Sequence, residues 1–195
     1  MSEIIVASSN LHKIGEMQAI LAPNGIRLLS AKDAGGLPKI IEDGQSFTEN
    51  AIKKAVQSAL ALGKKVLADD SGLEVFALNG EPGIYSARYA GEGGNDGRNV
   101  QKLLQKLKGI SDRRARFVCV IAVASPDGRL LGTAEGEVRG RITASPAGNS
   151  GFGYDPIFVP DGYHLTFAEL PEECKNKLSH RAKALLAALQ KGLLK

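Results

Sequence analysis

One short stretch in the first half of the chain constrains its fold more than any other. The apolar run Val66-Leu67-Ala68 is followed at once by two carboxylates, Asp69 and Asp70, and then by Ser71-Gly72. The run predicts a buried strand, and we expect that strand to end at the acidic pair. Two ionised carboxylates about 4 Å apart at an effective dielectric of about 20 repel by roughly 4 kcal/mol, so such a pair needs solvent, a proton or a cation. These residues alone favour equally a metal-dependent site and a turn that the aspartates cap.

Length and composition bound the class of protein. The chain has 195 residues, of which 43% are hydrophobic, so it can bury a core, and we expect a single domain over residues 1–195 with two lobes. No apolar run approaches the roughly 18 residues that span a bilayer, and the N-terminus lacks a signal-peptide pattern, so we expect no membrane partner and a cytoplasmic location. Cys119 and Cys174 match neither a disulfide framework nor a zinc-site spacing.

The basic balance of the chain leaves two kinds of partner open. A formal net charge of +4 fits both a nucleic-acid-binding protein and a protein that handles small polyanions. The lysines are scattered along predicted helices and the aromatic residues are few, so a stacking platform for a nucleic-acid strand is not evident. Solvated helix faces account for most of the charge.

The spacing of apolar residues predicts helices mixed with strands, followed by a hairpin. Ser46-Phe47-Thr48-Glu49 fits a capping box, in which the serine hydroxyl and the glutamate carboxylate satisfy backbone donors at a helix start. Pro126-Asp127-Gly128 marks the turn of the hairpin. Together these elements predict a mixed α/β sheet. Strands are predicted at residues 4–7, 26–29, 66–68, 73–78, 116–124 and 130–138, helices at 11–21, 47–62, 100–107 and 179–194, and loops over 80–94 and 144–160.

Small polar residues follow the first predicted strand and open the first predicted helix. Such a turn points several backbone N–H groups at one place, the helix dipole adds partial positive charge, and Lys13 adds a full charge. This arrangement predicts a phosphate-binding turn, although an ordinary N-cap by Ser9 or Asn10 fits the same residues. The Gly-x-x-x-x-Gly-Lys-Ser/Thr spacing of a P-loop is absent. The turn consists of Ser8, Ser9, Asn10, Leu11, His12 and Lys13.

Glycines alternate with aromatic residues in Gly151-Phe152-Gly153-Tyr154-Asp155. Each glycine adds unfolded-state entropy, so the alternation is costly in a simple loop and favours a place where the backbone approaches a flat ligand. Phe152 or Tyr154 is then placed to stack on a base, and backbone groups or Asp155 to read its edge. A tight turn with both aromatic rings anchored in the core is the alternative.

Hydrogen-bond donors cluster near the start of the last predicted helix, at Lys175, His180 and Arg181. Donors suit a base with a 6-oxo group, namely hypoxanthine, xanthine or guanine. The 6-amino group of adenine would set donor against donor, at a cost of roughly 1–3 kcal/mol per buried group. A helix cap and a surface pair explain the same residues. Glu42, in the loop before the capping box, is a further carboxylate that could meet Asp70 around a metal.

In this order, the segments resemble the inosine/xanthosine triphosphate pyrophosphatase family, house-cleaning hydrolases that remove deaminated purine nucleotides. The resemblance spans nearly the whole chain and departs at Ser8-Ser9, where the family often has Thr-Gly. We expect the extra side chain to be tolerated, because only a strict requirement for positive φ would strain it. The matching motifs lie at residues 7–13, 47–51, 68–73, 82–89, 151–156 and 179–181.

The resemblance implies a long mixed sheet flanked by helices, with two lobes around a central nucleotide-binding cleft, assembled as a homodimer. The implied reaction is Mg²⁺-assisted attack of water at the α-phosphorus of ITP, dITP or XTP, which yields the nucleoside monophosphate and pyrophosphate. Glu42 and Asp70 bind the magnesium ion in this interpretation, and Asp70 is also the general base. The implied substrate contacts are Ser8 to Lys13 for the triphosphate, Ser71 for the substrate, and Phe152, Gly153, Tyr154, Asp155, Lys175, His180 and Arg181 for the base.

Two other functions compete with this interpretation. The first is a related house-cleaning pyrophosphatase acting on pyrimidine nucleotides, which usually begins with a Ser-Pro-Arg-Arg type turn that this chain lacks. The second is a basic nucleic-acid-binding or nucleotide-sensing module that binds without turnover. Asp69 and Asp70 argue against such a module, because two carboxylates repel a phosphate backbone unless a metal intervenes.

Overall fold

A computed structural model describes residues 2–30 and 33–195 of the chain. These residues form one mixed sheet with strand order β2-β1-β3-β4-β5-β6. The strands are β1 (Ser2–Val6), β2 (Ile26–Ser30), β3 (Val66–Val75), β4 (Arg114–Ala124), β5 (Leu130–Ile142) and β6 (Phe158–Pro160). The α-helices are α1 (Leu11–Leu21), α2 (Phe47–Leu62), α3 (Asp96–Lys106), α4 (Glu172–Leu178) and α5 (His180–Gln190).

The strand pairing confirms the predicted mixed α/β sheet. β1 pairs in parallel with β2, in a register that sets Ile4 opposite Leu28, and it also pairs in parallel with β3. β5 pairs with β6 in the antiparallel sense. β4 and β5 are neighbours joined by a tight turn, in which the Gly128 N–H donates to the Ser125 carbonyl at 2.8 Å. The predicted hairpin is therefore confirmed, because neighbouring strands joined by so short a turn run antiparallel.

The chain divides into two compact units, each with its own core. Leu67, Ile121 and Leu185 are fully buried in the core of the first unit, and Leu73, Leu103, Phe117, Phe158 and Phe167 lie in the core of the second. Each large apolar side chain so buried contributes about 1.5–3 kcal/mol. The first unit is Met1–Asp70, Cys119–Gly136 and Ser179–Lys195; the second is Ser71–Val118 and Glu137–Leu178.

The main correction concerns the acidic strand. β3 runs without interruption through Val66–Val75, so the prediction that it ends at Asp69 and Asp70 was wrong. Successive side chains of a strand point to opposite faces of the sheet, so these two carboxylates diverge and do not form the predicted close pair. Their different partners, given below, agree with this alternation. The strand can hold two buried carboxylates in its middle because each of them pairs with a cation on its own face.

Smaller differences fall at element ends. Residues 76–78 form a 3₁₀ turn where a strand was predicted, and β6 and α4 were not predicted. α5 ends at Gln190 and so is shorter than predicted, because Gly192 follows with a φ of +70°. Among the described residues, no helix is long and apolar enough to cross a membrane.

A glycine in β5 lets α5 begin close to the sheet. A Cβ atom on Gly136 would lie 2.3 Å from the His180 carbonyl oxygen and 2.4 Å from the Ala184 nitrogen. Any larger residue would push the helix away, because both of these atoms belong to the backbone. Ser179 caps the same helix start by accepting a hydrogen bond from the Ala182 N–H. Gly136 and Ser179 therefore fix the position of the residues that open α5.

Candidate active site

The polar turn before α1 is held by its own side chains. Asn10 is the N-cap, and its Oδ1 accepts hydrogen bonds from the His12 and Lys13 backbone N–H groups at 3.0 and 3.2 Å. Ser8 Oγ accepts from the Asn10 N–H at 3.2 Å. Asn79 is the one non-glycine residue with positive φ in the described part of the chain, so Ser9 avoids the left-handed region. The extra side chain therefore causes no positive-φ strain at this position.

The Asp69 face of β3 carries a chain of alternating charges. Asp69 Oδ2 accepts from Lys13 Nζ at 2.9 Å and from Arg181 Nη2 at 3.4 Å. Arg181 also donates to Glu16 through Nη1. Arg181 and Asp69 are almost completely buried, whereas the Lys13 side chain is 19% exposed. The cluster thus reaches from the interior of the first unit to the turn before α1.

This environment favours the charged form of Asp69. Burial acts to raise the pKa of Asp69, but the cations of Lys13, Arg181 and Lys54 outweigh it, so its pKa lies well below the ordinary value. A carboxylate that stays ionised and holds two cations is suited to fixing their positions. It is poorly suited to accepting a proton near neutral pH.

The Asp70 face of β3 holds a different set of groups. Lys54 Nζ donates to Asp70 Oδ1 at 2.8 Å, and Asn50 Nδ2 donates to Asp70 Oδ2 at 3.4 Å. Lys54 also pairs with Glu42 Oε1 at 3.4 Å. Lys54 and Asn50 lie one turn apart on α2, so both reach the same strand residue. The face ends at Glu42, which is exposed.

Asp70 has the opposite electrostatic character to Asp69. Burial raises the pKa of Asp70, and the nearby ammonium of Lys54 offsets this only in part, so the pKa stays above its ordinary value. For Lys54, burial lowers the pKa, but the carboxylates of Asp70, Asp69 and Glu42 together outweigh it, and its pKa is raised. Asp70 is therefore an ionisable group in an environment that favours proton uptake.

The carboxylates of Glu42 and Asp70 are oxygen donors of the kind that Mg²⁺ prefers. Both carboxylates pair with the same cationic atom, Lys54 Nζ, so together they attract positive charge to this place. Within residues 2–30 and 33–195, no three His, Cys, Asp or Glu side chains form a group that could hold a metal ion. Mg²⁺ does not need such a cage, because it is commonly held by one or two carboxylates together with substrate phosphates and water.

A second polar cluster lies in the second unit, around the loop at residues 151–155. Asp155 Oδ2 accepts from Lys175 Nζ at 2.6 Å and from the Phe152 N–H at 2.9 Å. The Lys175 ammonium lies 4.9 Å from the centre of the Phe152 ring. Tyr154 is buried, and its hydroxyl donates to the Ser86 carbonyl at 2.9 Å. Tyr154 is thus a core anchor, and Phe152 is the half-buried ring of the pair.

The local backbone conformation and packing explain the glycines of this loop. Gly151 and Gly153 have φ values of +76° and +63°, which residues other than glycine rarely adopt. A Cβ atom on Gly151 would lie 2.2 Å from Asp155 Oδ2, so glycine also makes room for the carboxylate. The Gly153 N–H donates to Asp96 Oδ2 at 2.7 Å, which ties the loop to α3.

The structure therefore divides the predicted site residues between two clusters. Lys175 lies with Phe152 and Asp155, as the prediction of a shared base pocket requires. Arg181 belongs to the first unit, where it donates to Glu16 and Asp69. His180 belongs to the same unit, and Ser71 follows Asp70 in β3 at the start of the second unit.

Sequence reasoning missed three buried polar residues in these clusters, namely Glu16, Asn50 and Lys54. The helix pattern does carry a signal for two of them. Asn50 and Lys54 recur at a four-residue spacing on the face of α2 that also buries Ala51 and Ala55. A polar residue on an otherwise apolar face needs a buried partner, and Asp70 is that partner.

Comparison with known proteins finds relatives along nearly the whole chain. The model of the Ham1 family matches residues 4–191. The dITP/XTP pyrophosphatase of Desulfotalea psychrophila is 52% identical over 182 residues, which cover 93% of this chain and 81% of the relative. That of Bacillus licheniformis is 50% identical over 187 residues, which cover 95% of each chain.

Solved structures agree with these sequence matches. The Ham1 protein of Staphylococcus aureus superposes with a TM-score of 0.85 at 47% identity, covering 98% of this chain and 99% of that one. A HAM1 protein from Coxiella burnetii gives a TM-score of 0.87 at 41% identity, covering 98% of this chain and all of the other.

Proposed function

Because this chain belongs to the Ham1 family, we propose that it hydrolyses the non-standard purine nucleoside triphosphates ITP, dITP and XTP to the monophosphate and pyrophosphate. Such a hydrolase removes deaminated purines from the nucleotide pool. The relatives named above as dITP/XTP pyrophosphatases support this substrate class. The observation that carries the proposal is Asp70, a buried carboxylate that faces a lysine and a second carboxylate and has a raised pKa.

We assign the triphosphate to the turn before α1. Ser8, Ser9, Asn10, Leu11, His12 and Lys13 lie at a helix N-terminus, where the helix dipole favours an anion. The backbone amides of His12 and Lys13 already donate to Asn10, so binding of phosphate groups there competes with the cap or uses the remaining donors of the turn. Lys13, held by Asp69 at the edge of this turn, adds the positive charge.

We assign proton transfer to Asp70. In the reaction, a water molecule attacks the α-phosphorus and loses a proton to Asp70, while pyrophosphate leaves. The raised pKa of Asp70 matches it better to this task than the lowered pKa of Asp69. Lys54 holds the carboxylate in position and opposes the effect of burial. Mg²⁺ bound by Glu42, Asp70 and the substrate phosphates would neutralise negative charge on the departing pyrophosphate.

We assign the base to the cluster around residues 151–155. Phe152 offers a half-buried ring for stacking, and the Lys175 ammonium beside it is a donor for a 6-oxo group. Gly153, Tyr154 and Asp155 shape the loop. Roles for His180, Arg181 and Ser71 in substrate contact stay predictions from the sequence. Arg181 in particular is engaged by Glu16 and Asp69.

Three further properties belong to the same proposal and rest on the family resemblance: magnesium as the metal, a homodimer as the assembly, and a cytoplasmic location for a single two-lobed domain. Metal titration of the activity and light scattering of the purified protein test the first two directly. A manganese or zinc requirement, or a monomeric mass, would overturn the corresponding assignment.

The test of the proposed function is a hydrolysis assay with ITP, XTP, GTP, ATP and dTTP, in the presence of magnesium and after its removal by chelation. We expect selective conversion of ITP and XTP to the monophosphate and pyrophosphate, and only with the metal. Release of orthophosphate would contradict the reaction, and preference for dTTP would favour the pyrimidine-directed alternative. Nucleotide binding without turnover would favour a sensing module.

A further inference from the structure

Glu16 is a buried carboxylate to which the reaction above gives no role. It lies on α1 three residues after Lys13, so both side chains leave the same face of the helix. Its partner is the guanidinium of Arg181, which is 2% exposed and donates at the same time to Asp69. Asp69 in turn accepts from Lys13. One chain of contacts, Glu16–Arg181–Asp69–Lys13, therefore links Glu16 to Lys13.

The charges of these four groups cancel. Lys13 and Arg181 contribute two positive charges, and Glu16 and Asp69 contribute two negative ones. Asp69 uses one oxygen, Oδ2, for both cations. Without the charge of Glu16, two cations would share one carboxylate in a buried place, and they would repel each other. Lys13 is the more exposed of the two, so it is the one that can leave towards solvent.

We infer that Glu16 is a positioning residue for the triphosphate: by neutralising Arg181, it leaves Asp69 able to hold Lys13 at the phosphate-binding turn. This inference rests on the proposed function for the identity of the ligand, but the contact chain itself is independent of it. As a positioning residue, Glu16 acts on the triphosphate only through other side chains. Its effect passes through Arg181 and Asp69 to one ammonium group.

The first test measures Lys13 directly and needs no activity. Folded protein is acetylated with an N-hydroxysuccinimide ester, and the rate at Lys13 is followed by mass spectrometry, with the exposed Lys64 as an internal reference. We expect Glu16→Gln to speed modification of Lys13 by about tenfold. This corresponds to a loss of about 1.4 kcal/mol in the free energy that holds Lys13 against Asp69. Glu16→Asp keeps the charge and is expected to stay near the wild-type rate. Glu3→Gln, in an exposed pair with Arg27, is the matched control.

A double variant separates positioning from a general loss of structure. Glu16→Gln combined with Arg181→Gln removes one negative and one positive charge, so Asp69 again has Lys13 as its cation. We expect this double variant to restore slow modification of Lys13, and it also serves where Glu16→Gln alone fails to fold. Fast modification in the double variant, or an unchanged Lys13 rate in folded Glu16→Gln, would overturn the inference.

The second test asks which part of the ligand is affected. Titration calorimetry compares inorganic tripolyphosphate, which has no base, with IMP, which has the base and one phosphate. We expect Glu16→Gln to weaken tripolyphosphate binding by about tenfold and to leave IMP nearly unchanged, with KM for ITP raised more than kcat is lowered. Equal weakening of both ligands would assign Glu16 a structural role only. If the wild type binds neither ligand, the proposed function fails, while the Lys13 modification rates still judge the contact chain.

Discussion

Asp69 and Asp70 are neighbours in one strand, yet the two faces of β3 give them opposite properties. Asp69 meets Lys13 and Arg181, and its pKa is lowered; Asp70 meets Lys54, and burial keeps its pKa raised. The difference lies in the number of cations, because each carboxylate is buried and burial acts in the same direction on both. Asp69 is thus kept charged, and Asp70 is kept ready to accept a proton.

Two adjacent acids can thus take different roles in one site. Where environments push the pKa values of two carboxylates apart, the roles of the two groups separate as well. The alternation of a strand is sufficient for this, since it sends consecutive side chains into different surroundings. The predictions below test the division by changing one face at a time.

The largest effect is expected for Asp70→Asn. The amide cannot take the proton of the attacking water, so we expect kcat for ITP to fall by about 10²- to 10⁴-fold, the range typical of a lost general base. Steady-state kinetics measures the loss, and circular dichroism checks that the fold is kept. Turnover close to that of the wild type would remove Asp70 from its assigned role.

Asp69→Asn is expected to act mainly on stability. It leaves the buried Arg181 without one of its carboxylates, and breaking a buried pair in this way costs about 3–5 kcal/mol in the free energy of unfolding. Urea unfolding followed by circular dichroism measures this cost. Asp43→Asn is the matched control, because the Asp43–Lys53 pair is exposed and such pairs contribute only about 0–1 kcal/mol. Equal costs in the two variants would contradict the contrast between buried and exposed pairs.

Lys54→Gln tests the partner of Asp70. Without the ammonium, burial acts on Asp70 unopposed, so its pKa is expected to rise by a further 1–3 units, roughly the effect of one nearby opposite charge. The acidic limb of the pH profile of kcat/KM for ITP should move upward by that amount. Lys53→Gln changes the neighbouring lysine, which pairs with Asp43, and should leave the limb in place. If the acidic limb lies at the same pH in both variants, the limb does not report the ionisation of Asp70.

The smallest effect concerns the pH dependence of stability. The pKa of Asp69 is lowered on folding, so its contribution is present above the unfolded value of about 3.9 and is lost as the pH falls below it. The pKa of Asp70 is raised, so its contribution is present below about 3.9 and is lost as the pH rises through the folded value. The stability deficit of Asp69→Asn should therefore shrink in acid, and that of Asp70→Asn should grow. Chemical unfolding at several pH values measures both trends, and parallel trends would contradict the account.

Local sequence signals predicted much of the fold. The bounds of α1 agree with the prediction at both ends, since apolar spacing and the polar turn before it mark the helix. The capping box at Ser46 is confirmed in part: Ser46 Oγ accepts from the Glu49 N–H, but the Glu49 carboxylate accepts from the Gln45 N–H one residue earlier. Such details depend on the path of the loop, which no local pattern determines.

The site was less predictable because its partners are distant in sequence. The four-residue spacing of Asn50 and Lys54 marks a polar stripe, but only tertiary packing directs it at Asp70, 16 residues beyond Lys54. Arg181 is 165 residues from Glu16, and no local sequence pattern at either residue predicts their ion pair. Apolar burial packs the helices against the sheet, and this packing brings charged groups from distant parts of the sequence into contact.

Hydrolysis of ITP in ¹⁸O-labelled water, with the products resolved by mass spectrometry, identifies the phosphorus atom that water attacks. We expect the label in IMP and unlabelled pyrophosphate, because water attacks the α-phosphorus. Label in pyrophosphate would show attack at the β-phosphorus, and labelled orthophosphate would show attack at the γ-phosphorus. Either of these results would contradict the proposed reaction.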